Sequence, residues 1–159
     1  MKLIKLEDCK SEYTTVDDED YKYLTLYKWY KTRGYARRSI TVNGKQMKQV
    51  MHRVVLDAPL GFMIDHKDGD KVNNQKSNLR FCTNSQNQAN SKLSTRNSTG
   101  FKGVHKNRKT SKFVAQCKIM GKYFYIGSFS NVVDAAKAYD SFLIENRGEF
   151  ARTNFLTSL

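Results

Sequence analysis

The alternation of apolar and polar positions is sharpest late in the chain. From Lys112 to Ile119, Phe113, Ala115, Cys117 and Ile119 alternate with Lys112, Val114, Gln116 and Lys118. A period of two predicts a strand with one face turned inward. Met120-Gly121-Lys122 reads as a turn, after which Tyr123 and Tyr125 alternate with Phe124 and Ile126. Phe101 to His105 reads as a third, short strand before the basic loop Lys106 to Lys109. The period then becomes helical: Val132, Ala135, Ala136, Tyr139, Phe142 and Leu143 form one stripe over Asn131 to Asn146. Ser130 or Asn131 is placed to cap this helix and Gly148 to stop it. The product is a three-stranded antiparallel sheet covered on one face by one helix. Its other face shows Lys112, Gln116, Lys118, Tyr123 and Tyr125.

The first half is less regular. Val16-Asp17-Asp18-Glu19-Asp20 looks like a helix start capped by Asp17 or Asp18, and Tyr23, Leu24, Tyr27 and Trp29-Tyr30 continue a roughly helical spacing. Tyr35 to Val42 is strand-like, and Asn43-Gly44 signals a type I′ hairpin with Lys45 to Val50 returning. Arg37, Arg38, Lys45 and Lys48 give this hairpin a basic surface, suited to a DNA backbone or to plain solvation. Met51 to Leu56 reads as a short helix ending before Pro59 and Gly61.

Next comes MIDHKDGDKVNNQKSNLRFCTNSQNQAN, Met63 to Asn90. Met63 to His66 and Leu79 to Cys82 read as two strands, with Gly69 permitting a tight turn between them. Thr83 and Gln86 have capping-box spacing, so Asn84 to Ser91 reads as a helix carrying Asn87. Asp65 and His66 thus stand together at a strand end, with Asn78 and Asn87 further on. A carboxylate, an imidazole and an amide in one strand–loop–strand–helix unit suit metal-assisted hydrolysis of a phosphodiester. Asp68 and Asp70 read as turn residues, and His52 as structural or DNA-contacting. Leu93 to Gly100, LSTRNSTG, is small and polar and reads as a linker.

Charge adds a partner. The 159 residues carry a net charge of +13. No Asp or Glu occurs from Lys71 to Val133, where twelve Lys and Arg fall. A one-signed tract with interleaved aromatics suits nucleic acid, whose phosphates release counterions on binding. No apolar run is long enough for a membrane span, and the N-terminal segment lacks a signal peptide's apolar core, so an intracellular setting is expected. Cys9, Cys82 and Cys117 form no CxxC pair, so neither a disulfide framework nor a structural zinc is expected.

The Asp65-His66 pair, the Asn78-Leu79-Arg80 run and the later Asn87 resemble the HNH endonucleases of the phage and intron-encoded homing type. The likeness extends back through VDDEDYKYLTLYKW, GYARR and HRVVL to cover residues 13 to 92. It implies a ββα-metal nuclease in which Asp65 and Asn87 hold one divalent cation, Mg²⁺ or another such as Mn²⁺. His66 acts as general base and Asn78 braces the loop and orients the histidine. The implied products are 5′-phosphate and 3′-hydroxyl ends.

A second resemblance lies beyond. Phe101-Lys102-Gly103-Val104, Phe113-Val114-Ala115, Tyr125-Ile126-Gly127-Ser128-Phe129, Ala135 to Asp140 and Thr153-Asn154-Phe155 look like the Apetala-2/ERF DNA-binding domain. That domain enters the major groove with its sheet. The likeness makes Lys102, His105, Arg108, Gln116, Lys118 and Tyr125 DNA contacts, to which the exposed face adds Lys112 and Tyr123, and the hairpin Arg37 and Arg38.

The expected architecture is α+β: an HNH nuclease domain at residues 1–92, a linker at 93–100 and the sheet-and-helix DNA-binding domain at 101–159. The expected protein is a site-specific, homing-type endonuclease acting on double-stranded DNA. It works as a monomer without an obligate protein partner, in a bacterial host's cytoplasm if phage-encoded. The rival readings are a non-catalytic DNA-binding regulator with a decayed nuclease module and an RNA-binding protein whose exposed tyrosines stack bases.

Overall fold

The protein divides at Thr83/Asn84 into two compact units of mixed α and β structure. The computed structural model describes residues 1–7 and 12–155, so Cys9 lies outside the described residues.

The first unit opens with a hairpin that the sequence did not announce, β1 (Lys2–Lys5) against β2 (Tyr13–Val16). Helix α1 (Asp18–Leu24) follows and stops earlier than the apolar spacing implied. Thr25 ends it, its hydroxyl donating to Tyr21 O at 2.9 Å, and the Trp29 indole donates to Leu24 O at 2.8 Å. Trp29 therefore plugs the core from beyond the helix, and Tyr30 begins β3 (Tyr30–Thr32). Asp17 stands at the N-cap position without capping. Its carboxylate instead accepts from Gln75 Nε2 at 3.0 Å and Lys76 N at 2.8 Å.

Strands β4 (Tyr35–Val42) and β5 (Lys45–Val50) join β3 in an antiparallel sheet of order β3-β4-β5. The turn between them has positive φ at Asn43 and Gly44, as a type I′ hairpin requires. Helix α2 (Met51–Val55) then leads to a two-stranded hairpin, β6 (Met63–His66) with β7 (Leu79–Cys82). The core gathers Ile4, Leu6, Val16, Leu24, Trp29, Ala36, Met51, Val55 and Leu79 from nearly all of these elements.

The second unit begins with α3 (Asn84–Ala89), a helix expected in the first module and as far as Ser91. The segment read as a linker is tied by side chains. Asn97 Oδ1 accepts from Thr99 N at 3.0 Å and Gly100 N at 2.7 Å, and Thr99 Oγ1 donates to Val104 O at 2.9 Å. These turns delay the first strand, β8 (Val104–Lys106), beyond Phe101. With β9 (Phe113–Ile119) and β10 (Lys122–Phe129) it forms an antiparallel sheet of order β10-β9-β8.

Helix α4 (Val132–Arg147) is capped by Asn131, whose side chain accepts from Val133 N at 2.7 Å. It buries Ala135, Ala136, Tyr139 and Leu143 against Val104, Ala115 and Cys117. Gly103 is demanded by this packing: a Cβ there would lie 2.0 Å from the Tyr139 ring. No helix among the described residues is long and apolar enough to cross a membrane.

Candidate active site

The β6–β7 ladder pairs Asp65 with Arg80 and His66 with Leu79. Successive strand residues face opposite ways, so one short strand sends a carboxylate and an imidazole in different directions. Each residue is only 5% exposed. A buried carboxylate is costly without a partner. Here Arg80, directly across the ladder, donates to Asp65 Oδ2 from Nε at 3.0 Å and Nη2 at 2.8 Å.

The loop between the strands is built by its own Asp and Asn side chains. Asp68 accepts from Asp70 N at 2.7 Å and Asn73 Nδ2 at 2.8 Å, and Asp70 Oδ1 accepts from Val72 N at 3.2 Å. Gly69 takes the positive φ of the turn. Asn78 accepts from Asp68 N at 3.1 Å and donates to Asp68 Oδ1 at 3.0 Å and Asn73 O at 2.9 Å, tying the two ends of the loop together.

A second asparagine meets His66. His66 Nε2 lies 3.4 Å from Asn74 Oδ1, and Asn74 is fully buried. Donor logic fixes the direction of this contact. Thr14 Oγ1 stands 2.7 Å from Val72 O, a carbonyl that can only accept, so the hydroxyl proton points there. Thr14 Oγ1 must then accept from Asn74 Nδ2, at 2.7 Å. Asn74 therefore turns its carbonyl oxygen to His66, which must carry its proton on Nε2. The basic lone pair falls on Nδ1. Strand β2 holds this relay in place: Thr15 N donates to Val72 O at 2.9 Å and Asn74 N to Thr15 O at 2.8 Å.

Aromatic rings pack on the other sides of His66. The His52 ring lies edge-on at 5.1 Å between centroids, and Tyr35 lies 6.1 Å away. Burial lowers the His66 pKa from its usual value, against opposing contributions from Asn74 and the nearby aspartates. Burial also carries His52 down to about 3, aided by His66, Arg53 and Arg37. Both imidazoles are neutral at physiological pH. Two cations flank the Tyr35 ring, Lys71 Nζ at 4.5 Å from its centroid and the Arg37 guanidinium at 5.7 Å, while the charges acting on His66 are those of Asp65, Asp68 and Asp70.

No group of three or more His, Cys, Asp or Glu that could hold a metal ion occurs among the described residues. A hard cation of the Mg²⁺ kind keeps several waters and takes one or two protein oxygens beside substrate phosphate. Asp65 offers such an oxygen.

The remaining residues expected at the site divide by environment. Asn87 lies half-buried on α3 of the second unit. Arg38 is only 7% exposed and turns inward; its guanidinium stacks 3.6 Å from the Tyr27 ring centroid and Nε donates to Gln49 Oε1 at 2.7 Å. It props the hairpin and does not belong to an exposed basic surface. Arg37 is half-buried. Lys102 is turned from solvent, its ammonium donating to the carbonyls of Ala89 and of Ser91, the latter at 2.9 Å. His105, Arg108, Lys112 and Lys118 are exposed, as are Tyr123 and Tyr125 at 69% and 67%, while Gln116 is half-buried. Lys118 pairs with Tyr123 and Gln116 with Tyr125 across the ladder.

Three residues of this site had no assigned role in the sequence reading: Thr14, Asn74 and Arg80. Arg80 was within reach, because a hairpin closing Asp65 onto the Asn-Leu-Arg run puts it opposite the carboxylate. Thr14 was not, since its partner lies 60 residues away.

Residues 51–89 match the family model described as HNH endonuclease. The chain is also 26% identical, over 147 residues, to a protein of Acanthamoeba polyphaga mimivirus described as an uncharacterized HNH endonuclease. That likeness covers 91% of this chain and 76% of the relative. The chain carries an HNH endonuclease domain, and it is a nuclease.

Proposed function

We propose that this nuclease hydrolyses phosphodiester bonds of double-stranded DNA site-specifically, in the manner of homing endonucleases, with His66 as general base. The observation that carries this reading is the Thr14–Asn74–His66 relay, which presents a neutral imidazole with its lone pair on Nδ1. His66 Nδ1 takes a proton from the attacking water as the new P–O bond forms, and Nε2–H stays on Asn74. The P–O3′ bond breaks, the 3′ oxygen takes a proton from solvent, and the ends are 5′-phosphate and 3′-hydroxyl.

HNH nucleases generally use a divalent metal. Asp65 and, by the resemblance, Asn87 would hold one Mg²⁺ or Mn²⁺ ion here. Such an ion supplies Lewis-acid stabilisation of the phosphate and the departing oxygen. Arg80 keeps Asp65 fixed and compensates its burial, and Asn78 keeps the loop closed. Residues 101–159, read as an Apetala-2/ERF-like module, supply affinity and register through the face bearing Lys112, Gln116, Lys118, Tyr123 and Tyr125. The sheet order and the α4 packing support that reading. One centre on a monomer nicks one strand.

The test is conversion of supercoiled plasmid to open circle by the full-length protein, with Mg²⁺ and with a chelator. Nicking by the wild type with Mg²⁺, lost in His66→Ala at unchanged DNA affinity, supports the reading. Equal nicking by His66→Ala removes the base assignment. Specific DNA binding with no cleavage by the wild type, on any DNA tried, favours the regulator.

A further inference from the structure

We propose that the second unit has a catalytic duty besides any DNA contact: Arg147 and Lys102 grip both ends of α3 and act as positioning residues for Asn87. The proposal rests on the reading of Asn87 as a metal ligand.

Helix α3 has six residues and carries no acid in its first turn and no base in its last. A helix this short is not stable by itself in water. What it lacks locally is supplied by distant residues. At its start, Ser85 Oγ accepts from Arg147 Nη2 at 2.9 Å and Met120 N at 3.3 Å. The same Arg147 nitrogen donates to Lys118 O at 3.2 Å, which fixes the guanidinium to β9. At its end, the Lys102 ammonium donates to the carbonyls of Ala89 and Ser91. A cation on the last carbonyls satisfies orphan acceptors and complements the negative end of the helix.

Lys102 is itself held. Its backbone N donates to Asn154 Oδ1 at 2.6 Å, and its carbonyl accepts from Asn154 Nδ2 at 3.1 Å. The Asp140 carboxylate accepts in turn from Asn154 N at 2.9 Å and from Phe155 N at 3.0 Å. Asp140 and Arg147 both belong to α4. One long helix thus holds the short one by two arms, directly through Arg147 and through Asn154 and Lys102. The grip brackets Asn87, with Ser85 two residues before it and Ala89 two after.

A lysine serving only DNA phosphates would stay in water. This one gives up hydration, and burial brings its pKa down to about 8. Its role is read from its partners, which are α3 carbonyls.

The test uses the full-length protein with Ser85→Ala, which removes an acceptor without changing charge, with Lys102→Met, and with Lys102→Arg as the conservative control. Hydrogen exchange of the α3 amides, Mn²⁺ binding followed by electron paramagnetic resonance, and the Mg²⁺ dependence of cleavage are measured together. The α3 amides are expected to exchange about tenfold faster in Ser85→Ala and Lys102→Met, with β9 and α4 protection unchanged. Mn²⁺ is expected to bind roughly three- to tenfold more weakly, and Lys102→Arg to recover most of both effects. Wild-type α3 exchange and Mn²⁺ affinity in both variants overturn the proposal. Faster α3 exchange at unchanged Mn²⁺ affinity, in these variants and in Asn87→Ala alike, overturns the assignment of Asn87 to the metal and leaves the grip standing. If Lys102→Met unfolds the unit, Ser85→Ala decides by the same readings.

Discussion

His66 Nε2 and Asn74 Oδ1 face each other at 3.4 Å, and Thr14, on the far side of the asparagine, dictates which atom of the amide is turned to the histidine. Thr14→Val removes the acceptor for Asn74 Nδ2 and frees the amide to flip; Asn74→Leu removes the contact altogether. Either change lets the His66 proton move to Nδ1, where it blocks the base. General-base catalysis contributes about 10²–10⁴-fold, so both variants are expected to lose at least about tenfold in single-turnover cleavage rate. DNA affinity should hold. Nitrogen chemical shifts of His66 report the tautomer directly. A wild-type rate with an unchanged tautomer removes Thr14 and Asn74 from the mechanism.

Arg80 and Asp65 form a buried ion pair, with side chains 10% and 6% exposed. Removing one partner of such a pair takes away charge compensation in a buried setting. Arg80→Met is expected to cost about 3–5 kcal/mol in urea unfolding. Adding Asp65→Asn should restore much of that stability, because the buried negative charge is gone, yet leave cleavage abolished. Stability and activity moving together across the two variants would mean that Asp65 serves the fold alone.

What could be read from the chain follows the range of the forces involved. The strand Phe113–Ile119 and the stripe on α4 were legible because burial writes periods of two and 3.6 into local sequence. The Asn43-Gly44 turn was legible because a type I′ turn needs two residues that tolerate positive φ. Asp65, His66 and Asn78 stand within one short stretch and could be singled out there. Thr14 could not, since nothing in Tyr13–Val16 distinguishes a strand threonine from one that aims an amide 60 residues away. Nor could the grouping of α3 with the second unit be foreseen. From Thr83 to Gly100 the chain is almost uniformly polar, and the bonds that claim the helix come from Lys102 and Arg147.

The lowered His66 pKa sets the acid side of the pH profile. A base must be unprotonated to act, so the acid limb of the cleavage rate is expected below pH 6.5, the ordinary histidine value. His52 acts on stability. Its folded pKa, about 3, lies below the unfolded 6.5, so the unfolded chain binds the proton in between. Stability is therefore complete above 6.5 and is lost as pH falls through that window, at up to about 1.4 kcal/mol per unit. His52→Gln should flatten acid unfolding followed by circular dichroism. An acid limb above pH 6.5 argues against His66 as the base.

The exposed face of β9 and β10 offers a contrast between positioning and reading. Lys112 and Lys118 are exposed cations with no base-reading fork, suited to phosphate contacts. Replacing both by Gln should reduce the slope of log affinity against log salt by about two and weaken binding alike on all sequences. Gln116, paired with Tyr125 across the ladder, carries an amide that can address an adenine edge bidentately. Gln116→Ala should leave the salt slope alone and relax discrimination at one base pair by about 1–3 kcal/mol. Binding-site selection on random duplexes, run at two salt concentrations, separates the effects. A salt slope untouched by the double lysine change would remove this face from the DNA interface.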